Sequence, residues 1–95
     1  MRISDMERDA IVLAVRAFDP NARLWLFGSR TDDQKRGGDI DVAILSASIS
    51  RMEVMRIKRS ILDSIGEQHL DLVVSGDGSE PFFRVAIEKG IPINA

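Results

Sequence analysis

The 95-residue chain contains no cysteine. That absence removes disulfides, thiolate metal sites and cysteine nucleophiles, and it suits a reducing cytoplasm. Histidine occurs once, at His69, which excludes a multi-histidine metal site. There is no basic excess either, since the formal net charge is −2. Modules that grip DNA or RNA usually carry such an excess for their phosphate contacts, so direct nucleic-acid binding is not expected. Nucleotide binding stays compatible, because a metal ion can carry the positive charge. No apolar run approaches the ~20 residues a membrane-crossing helix needs. The charged start MRISDMERDA does not read as a signal peptide. Repeats, low-complexity tracts and Pro/Gly/Ser-rich linkers are also missing. These absences predict one soluble cytoplasmic domain over residues 1–95, with a modest core. An enzyme this small would need another molecule to complete its substrate site.

What is present reads as helix, strand, loop, strand, helix, strand, helix. Ser4 and Glu7 have capping-box spacing and open the first helix. Ala10, Leu13, Ala14, Ala17 and Phe18 recur at helical spacing, and Asp19-Pro20-Asn21 ends the element. Leu24 to Phe27 is a short apolar run, expected as a buried strand. Gly28-Ser29 ends it, and a polar loop runs from Arg30 to Gly38. Asp39 to Leu45 is the second strand. Ser50 and Glu53 open the next helix, whose apolar side is read as Met52, Met55, Ile57, Ile61, Leu62 and Ile65. Gly66 lies near its end. Leu70 to Val74 forms a third strand, so that residues 39–74 fit a β-α-β crossover with parallel strands. The last helix starts at Pro81 and ends at Gly90, expected as a left-handed cap. Ile91-Pro92-Ile93 follows as a short edge strand. The expected class is α+β: a two-layer sandwich with a small mixed sheet and helices on one face.

The second strand carries acids where a buried strand should be apolar. Side chains alternate along a strand, so Asp39 and Asp41 point the same way, about 7 Å apart from the rise per residue. Asp71, early in the third strand, can reach the same face. Three carboxylates together repel one another and resist ionisation when partly buried. A divalent cation resolves this, and Mg²⁺ prefers a few carboxylates plus substrate phosphates. The turn at Gly28-Ser29 supplies the complementary part. Glycine allows close approach to a phosphate, the serine hydroxyl can donate to it, and Arg30 offers a charged fork.

The stretch FGSRTDDQKRGGDIDVAIL resembles the signature of the DNA polymerase β-like nucleotidyltransferases. Phe27, Gly28 and Ser29 match its first half; Asp39, Ile40, Asp41 and Val42 match its second, across a spacer at the short end. Asp71 in HLDLVV stands where the family's third acid is expected. The ending FFRVAIEKGIPI is similar to that of minimal members, and the resemblance covers almost the whole chain. It implies that Asp39, Asp41 and Asp71 are catalytic and hold Mg²⁺ or Mn²⁺. It also implies that Gly28, Ser29 and Arg30 bind the phosphates of a nucleoside triphosphate, by family habit ATP. Minimal members are often paired, as antitoxins, with a small helical toxin of the HEPN type. The resemblance therefore implies a hetero-oligomer in which AMP is transferred to a hydroxyl, often a tyrosine's, of that toxin. Two other functions stand beside this one: an antitoxin that masks its partner by contact alone, and a subunit that modifies a small molecule such as an antibiotic.

Other residues have plainer expected roles. Lys35, Arg36, Asp32 and Asp33 read as solvated loop charges, and His69 as a strand-edge residue. Trp25 is expected in the core, and Met52 and Met55 as core filler. Phe82 and Phe83 cannot both face inward from one helix, so one should be exposed.

Overall fold

The computed structural model describes residues 3–28 and 39–93. Their elements run α1 (Asp5–Arg16), β1 (Arg23–Phe27), β2 (Ile40–Leu45), α2 (Arg51–Ile65), β3 (Leu70–Ser75), α3 (Pro81–Lys89) and β4 (Ile91–Ile93). Both expected capping boxes are formed. Ser4 Oγ accepts from the Glu7 amide at 3.0 Å, and Glu7 Oε1 accepts from the Ser4 amide at 2.9 Å. Ser50 and Glu53 repeat the arrangement at the start of α2. Each box satisfies two amides that the first helical turn leaves open.

The strands form one mixed sheet in the order β3-β2-β1-β4. β1 pairs antiparallel with β2 and β4, while β2 and β3 are parallel neighbours joined through α2. The crossover expected over residues 39–74 is therefore present. Even-numbered side chains of β1 and β2 enter the larger core. There Leu24, Leu26, Ile40, Val42 and Ile44 pack with Ile11 and Val15 of α1 and Ile57 and Ile61 of α2.

The α+β class and the small mixed sheet hold, but the helices do not all share one face. Odd-numbered Trp25 and Ala43 point the opposite way and meet Phe83 and Ala86 of α3. The Trp25 and Phe83 rings meet edge to face with centroids 6.2 Å apart. Because both faces of β1 and β2 carry apolar side chains, a helix on each side removes more of them from water than two layers would. Phe83 is 1% exposed and Phe82 is 61% exposed, which divides that pair as the sequence required.

Three local expectations need correction. In α1 the buried residues are Ile11, Val12, Ala14 and Val15, whereas Leu13 is 76% exposed. Two apolar stripes compete on this helix, and the one richer in β-branched side chains covers the sheet. Met52 and Met55 are not core filler, being 69% and 72% exposed; Ile57, Ile61 and Leu62 are buried on the face of α2, and the half-buried Ile65 packs against the same core. Gly90 is extended (φ −82°, ψ 170°) and not left-handed. Its lack of a side chain matters sterically, because a Cβ there would lie 2.6 Å from the Ala86 carbonyl and 2.8 Å from that of Leu26. No helix among the described residues is long and apolar enough to cross a membrane.

Candidate functional site

Parallel pairing brings two similar tripeptides side by side. Ile40 stands opposite Leu70 and Asp41 opposite Asp71. The Ile40 amide donates to the His69 carbonyl at 3.0 Å, which carries the same register back to Asp39 and His69. All four odd positions, 39, 41, 69 and 71, lie on one face of the sheet. It is the face that carries Ala43, Trp25 and α3. Asp-Ile-Asp beside His-Leu-Asp thus gives a four-cornered block of chelating groups, with Ile40 and Leu70 anchoring it in the core from behind.

The corners touch. His69 Nδ1 donates to Asp39 Oδ2 at 2.7 Å. One ligand-type atom each from Asp39, His69 and Asp71 falls within 4.8 Å of the others. Asp41 joins through a hydrogen bond with the Asp71 carboxyl. Burial raises the Asp41 pKa above the ordinary carboxylate range; the charges of Asp71 and Asp39 and the hydrogen bond with Asp71 push the same way, and His69 opposes them. The hydrogen bond to Asp39, with the charges of Asp39 and Asp71, raises the pKa of His69.

The end of β1 closes the site. Phe27 stands opposite Asp41 in the antiparallel register, and Gly28 follows it with φ +76°. A Cβ on Gly28 would overlap Asp41 Oδ2 and lie 3.2 Å from Asp41 Cγ. The glycine therefore serves both needs, a left-handed backbone and room for the carboxylate. Beside it, the Phe27 ring meets that of Phe82 edge to face at 6.0 Å. Gly28, Asp39, Asp41 and Asp71 are thus brought together. Ser29 and Arg30 lie outside the described residues.

His69 is the member that sequence reasoning assigned elsewhere. A signal existed: His69-Leu70-Asp71 has the alternation of Asp39-Ile40-Asp41, and parallel neighbours align equal alternations. The donor set suits a divalent cation. Three carboxylates, one of them desolvated, are held together against their own repulsion, and oxygen donors of this kind are what hard divalent ions take.

A family model described as a nucleotidyltransferase domain matches residues 8–94. The chain belongs to the nucleotidyltransferase domain family. In such nucleotidyltransferases, which are polymerase β-like, a divalent metal typically works with a nucleoside triphosphate. The fold and the Asp/His/Asp cluster of this nucleotidyltransferase domain agree with that chemistry. No significantly similar curated protein was found. A groove of about 440 Å³, lined by Ile49, Val54, Met55, Leu72 and Val74 among others, lies on the opposite face. It is separate from the carboxylate block.

Proposed function

We propose that the protein transfers a nucleoside monophosphate, AMP from ATP, to a tyrosine hydroxyl of a HEPN-type helical toxin in the cytoplasm and thereby neutralises it. Residues 1–95 would act as one catalytic domain. The observation that carries the reading is the meeting of Asp39, Asp41 and Asp71 on one face beside the glycine turn at the end of β1.

In this reading Asp39, Asp41 and Asp71 hold Mg²⁺ or Mn²⁺, which supplies charge neutralisation at the triphosphate when bound. Gly28, Ser29 and Arg30 bind the β- and γ-phosphates. The acceptor oxygen attacks the α-phosphorus and a new P–O bond forms. The bond from the α-phosphorus to the bridging oxygen breaks, and pyrophosphate leaves with that electron pair. Asp71, exposed at the rim, takes the hydroxyl proton. Such transfer depends mostly on positioning and electrostatics, which a small rigid sheet can provide. Added AMP would place bulk and negative charge on the toxin.

The exposed Met52 and Met55 suit an adaptable protein contact, which supports a protein acceptor over a small molecule. They serve equally a partner that is masked by binding alone. One experiment separates the two. The protein, the co-expressed helical partner, Mg²⁺ and labelled ATP are incubated, and the partner is weighed by mass spectrometry. A mass gain of one or more AMP groups, lost with Asp39→Ala and Asp41→Ala, supports transfer. Full neutralisation by the double variant, with no mass gain in any sample, refutes it in favour of masking.

A further inference from the structure

The acidic positions Asp39, Asp41 and Asp71 offer only carboxylate oxygen. This chain adds a nitrogen. We infer that His69 is a direct ligand of the same cation as Asp39 and Asp71, and that its imidazole tilts the site toward Mn²⁺ over Mg²⁺. The inference rests on the metal-site reading of Asp39, Asp41 and Asp71 and extends it to a residue outside those three acids.

The spacing of the donors supports ligation. Adjacent ligands of an octahedral ion bound at ~2.1 Å lie about 3 Å apart. His69 Nδ1 and Asp39 Oδ2 are 2.7 Å apart, close to the spacing of adjacent ligands, so one ion could take both once the exposed imidazole turns its lone pair off the line to Asp39. Opposite ligands of such an ion lie about 4.2 Å apart; one ligand atom each of Asp39, His69 and Asp71 lies within 4.8 Å of the others, a spacing that small side-chain rotations would close. The backbone holds the pair ready, since the Ile40 amide and His69 carbonyl fix residues 39 and 69 side by side. Neither side chain is shut away from an entering ion: His69 is 64% exposed and Asp39 49%.

The donor type sets the selectivity. Mg²⁺ is hard, dehydrates reluctantly and takes only a few carboxylate and phosphate oxygens beside its retained waters. Imidazole suits the later first-row ions such as Fe²⁺ and Zn²⁺ best; Mn²⁺, the first of that series, shares the carboxylate preference of Mg²⁺ but, unlike Mg²⁺, also accepts a nitrogen donor. A mixed set of two carboxylates and one imidazole is therefore better matched to Mn²⁺ than to Mg²⁺. The competing role for His69 is a hydrogen-bond donor that only steadies Asp39. That role would leave the ion all-oxygen and its selectivity unchanged.

Mn²⁺ is its own probe. The full chain is titrated with MnCl₂ and, separately, MgCl₂, with and without a non-hydrolysable triphosphate analogue. Mn²⁺ is then examined by pulsed EPR for coupling to ¹⁴N. The expected result is one imidazole nitrogen signal, abolished in His69→Gln and His69→Asn. Loss of an outer-sphere partner already costs about 10–100-fold in metal affinity. The same variants should therefore weaken Mn²⁺ binding at least tenfold and Mg²⁺ binding much less, so the preference collapses. Circular dichroism confirms that both variants fold. Mn²⁺ that binds in an Asp39-dependent way with no nitrogen coupling, and with the Mn²⁺/Mg²⁺ ratio unchanged in His69→Gln, overturns the inference alone. Wild-type protein that binds neither ion, even with the analogue, overturns the metal-site reading beneath it as well.

Discussion

The carboxylate of Asp41 occupies the space that any side chain on Gly28 would need, and Gly28 in turn holds a backbone angle of φ +76° that other residues avoid. Gly28→Ala therefore meets two obstacles. The left-handed backbone costs of order 1–3 kcal/mol for a non-glycine residue, and the new methyl must displace Asp41. We expect a melting temperature lowered by several degrees and loss of triphosphate binding, read by differential scanning fluorimetry and calorimetry. Wild-type nucleotide affinity in Gly28→Ala would show that the turn and the carboxylate do not act together.

Removing charge from the block should harm function and spare the fold. Asp39→Asn and Asp41→Asn are expected to lower transfer by about 10²–10³-fold, the scale of losing one preorganised electrostatic group. Without metal, Asp41→Asn should be as stable as the wild type or more so, because its burial and the charges of Asp71 and Asp39 both disfavour the ionised form. Thermal melts in chelator test this. A large fall in melting temperature for Asp41→Asn would contradict the repulsive block.

The block also sets a pH dependence. A group whose pKa is raised on folding stabilises the fold when protonated. For His69 that contribution is complete below its ordinary value of 6.5 and is lost as pH climbs through its higher folded value. Asp41 acts in the same sense from its ordinary value of 3.8 upward. The lowered carboxyls, Asp19, Glu53 and Asp77, stay charged at neutral pH and do not offset this. The chelated protein should therefore melt at a lower temperature at about pH 8.5 than at about pH 6. His69→Gln should flatten that difference. Saturating Mn²⁺ should raise the melting temperature most at the higher pH, since metal competes with protons for the same groups. A flat or rising profile for the chelated wild type would reject the assignment.

The two adjacent phenylalanines of α3 should behave very differently. Phe83 is buried against Trp25, Ala43 and Ala86, so Phe83→Ala should cost about 3–5 kcal/mol. That is a large part of the stability of a chain this size. Phe82 is exposed and meets Phe27 edge to face, a contact worth about 0.5–1.5 kcal/mol. Urea unfolding of the two variants checks the contrast; equal losses would mean that α3 is seated differently.

Local chemistry made much of the molecule legible in advance. Ser4 with Glu7 and Ser50 with Glu53 specify helix starts within one turn of chain. The two-residue period of a strand fixes Asp39 and Asp41 to one face whatever lies beside them. Gly28 announces an abrupt turn at the end of an apolar run. The residues 29 and 30 that the sequence adds to this turn lie outside the described residues, and their part rests on sequence alone.

Other features depend on which elements meet. The sequence could not choose between two apolar stripes on α1, and only the sheet beneath selected Ile11 and Val15 over Leu13. Gly90 does cap α3, but in an extended conformation, and its constraint comes from the carbonyls of Leu26 and Ala86, one of them on a distant strand. α3 crosses to the far face because Trp25 and Ala43 present apolar surface there. His69 became part of the site only when β3 paired with β2 in the register that sets it beside Asp39. Alternation within a strand is a property of the chain itself, so the sequence determined the shared face of the acids. Lateral register and helix side are set by contacts between distant segments, so the fourth corner of the block was decided by the tertiary structure.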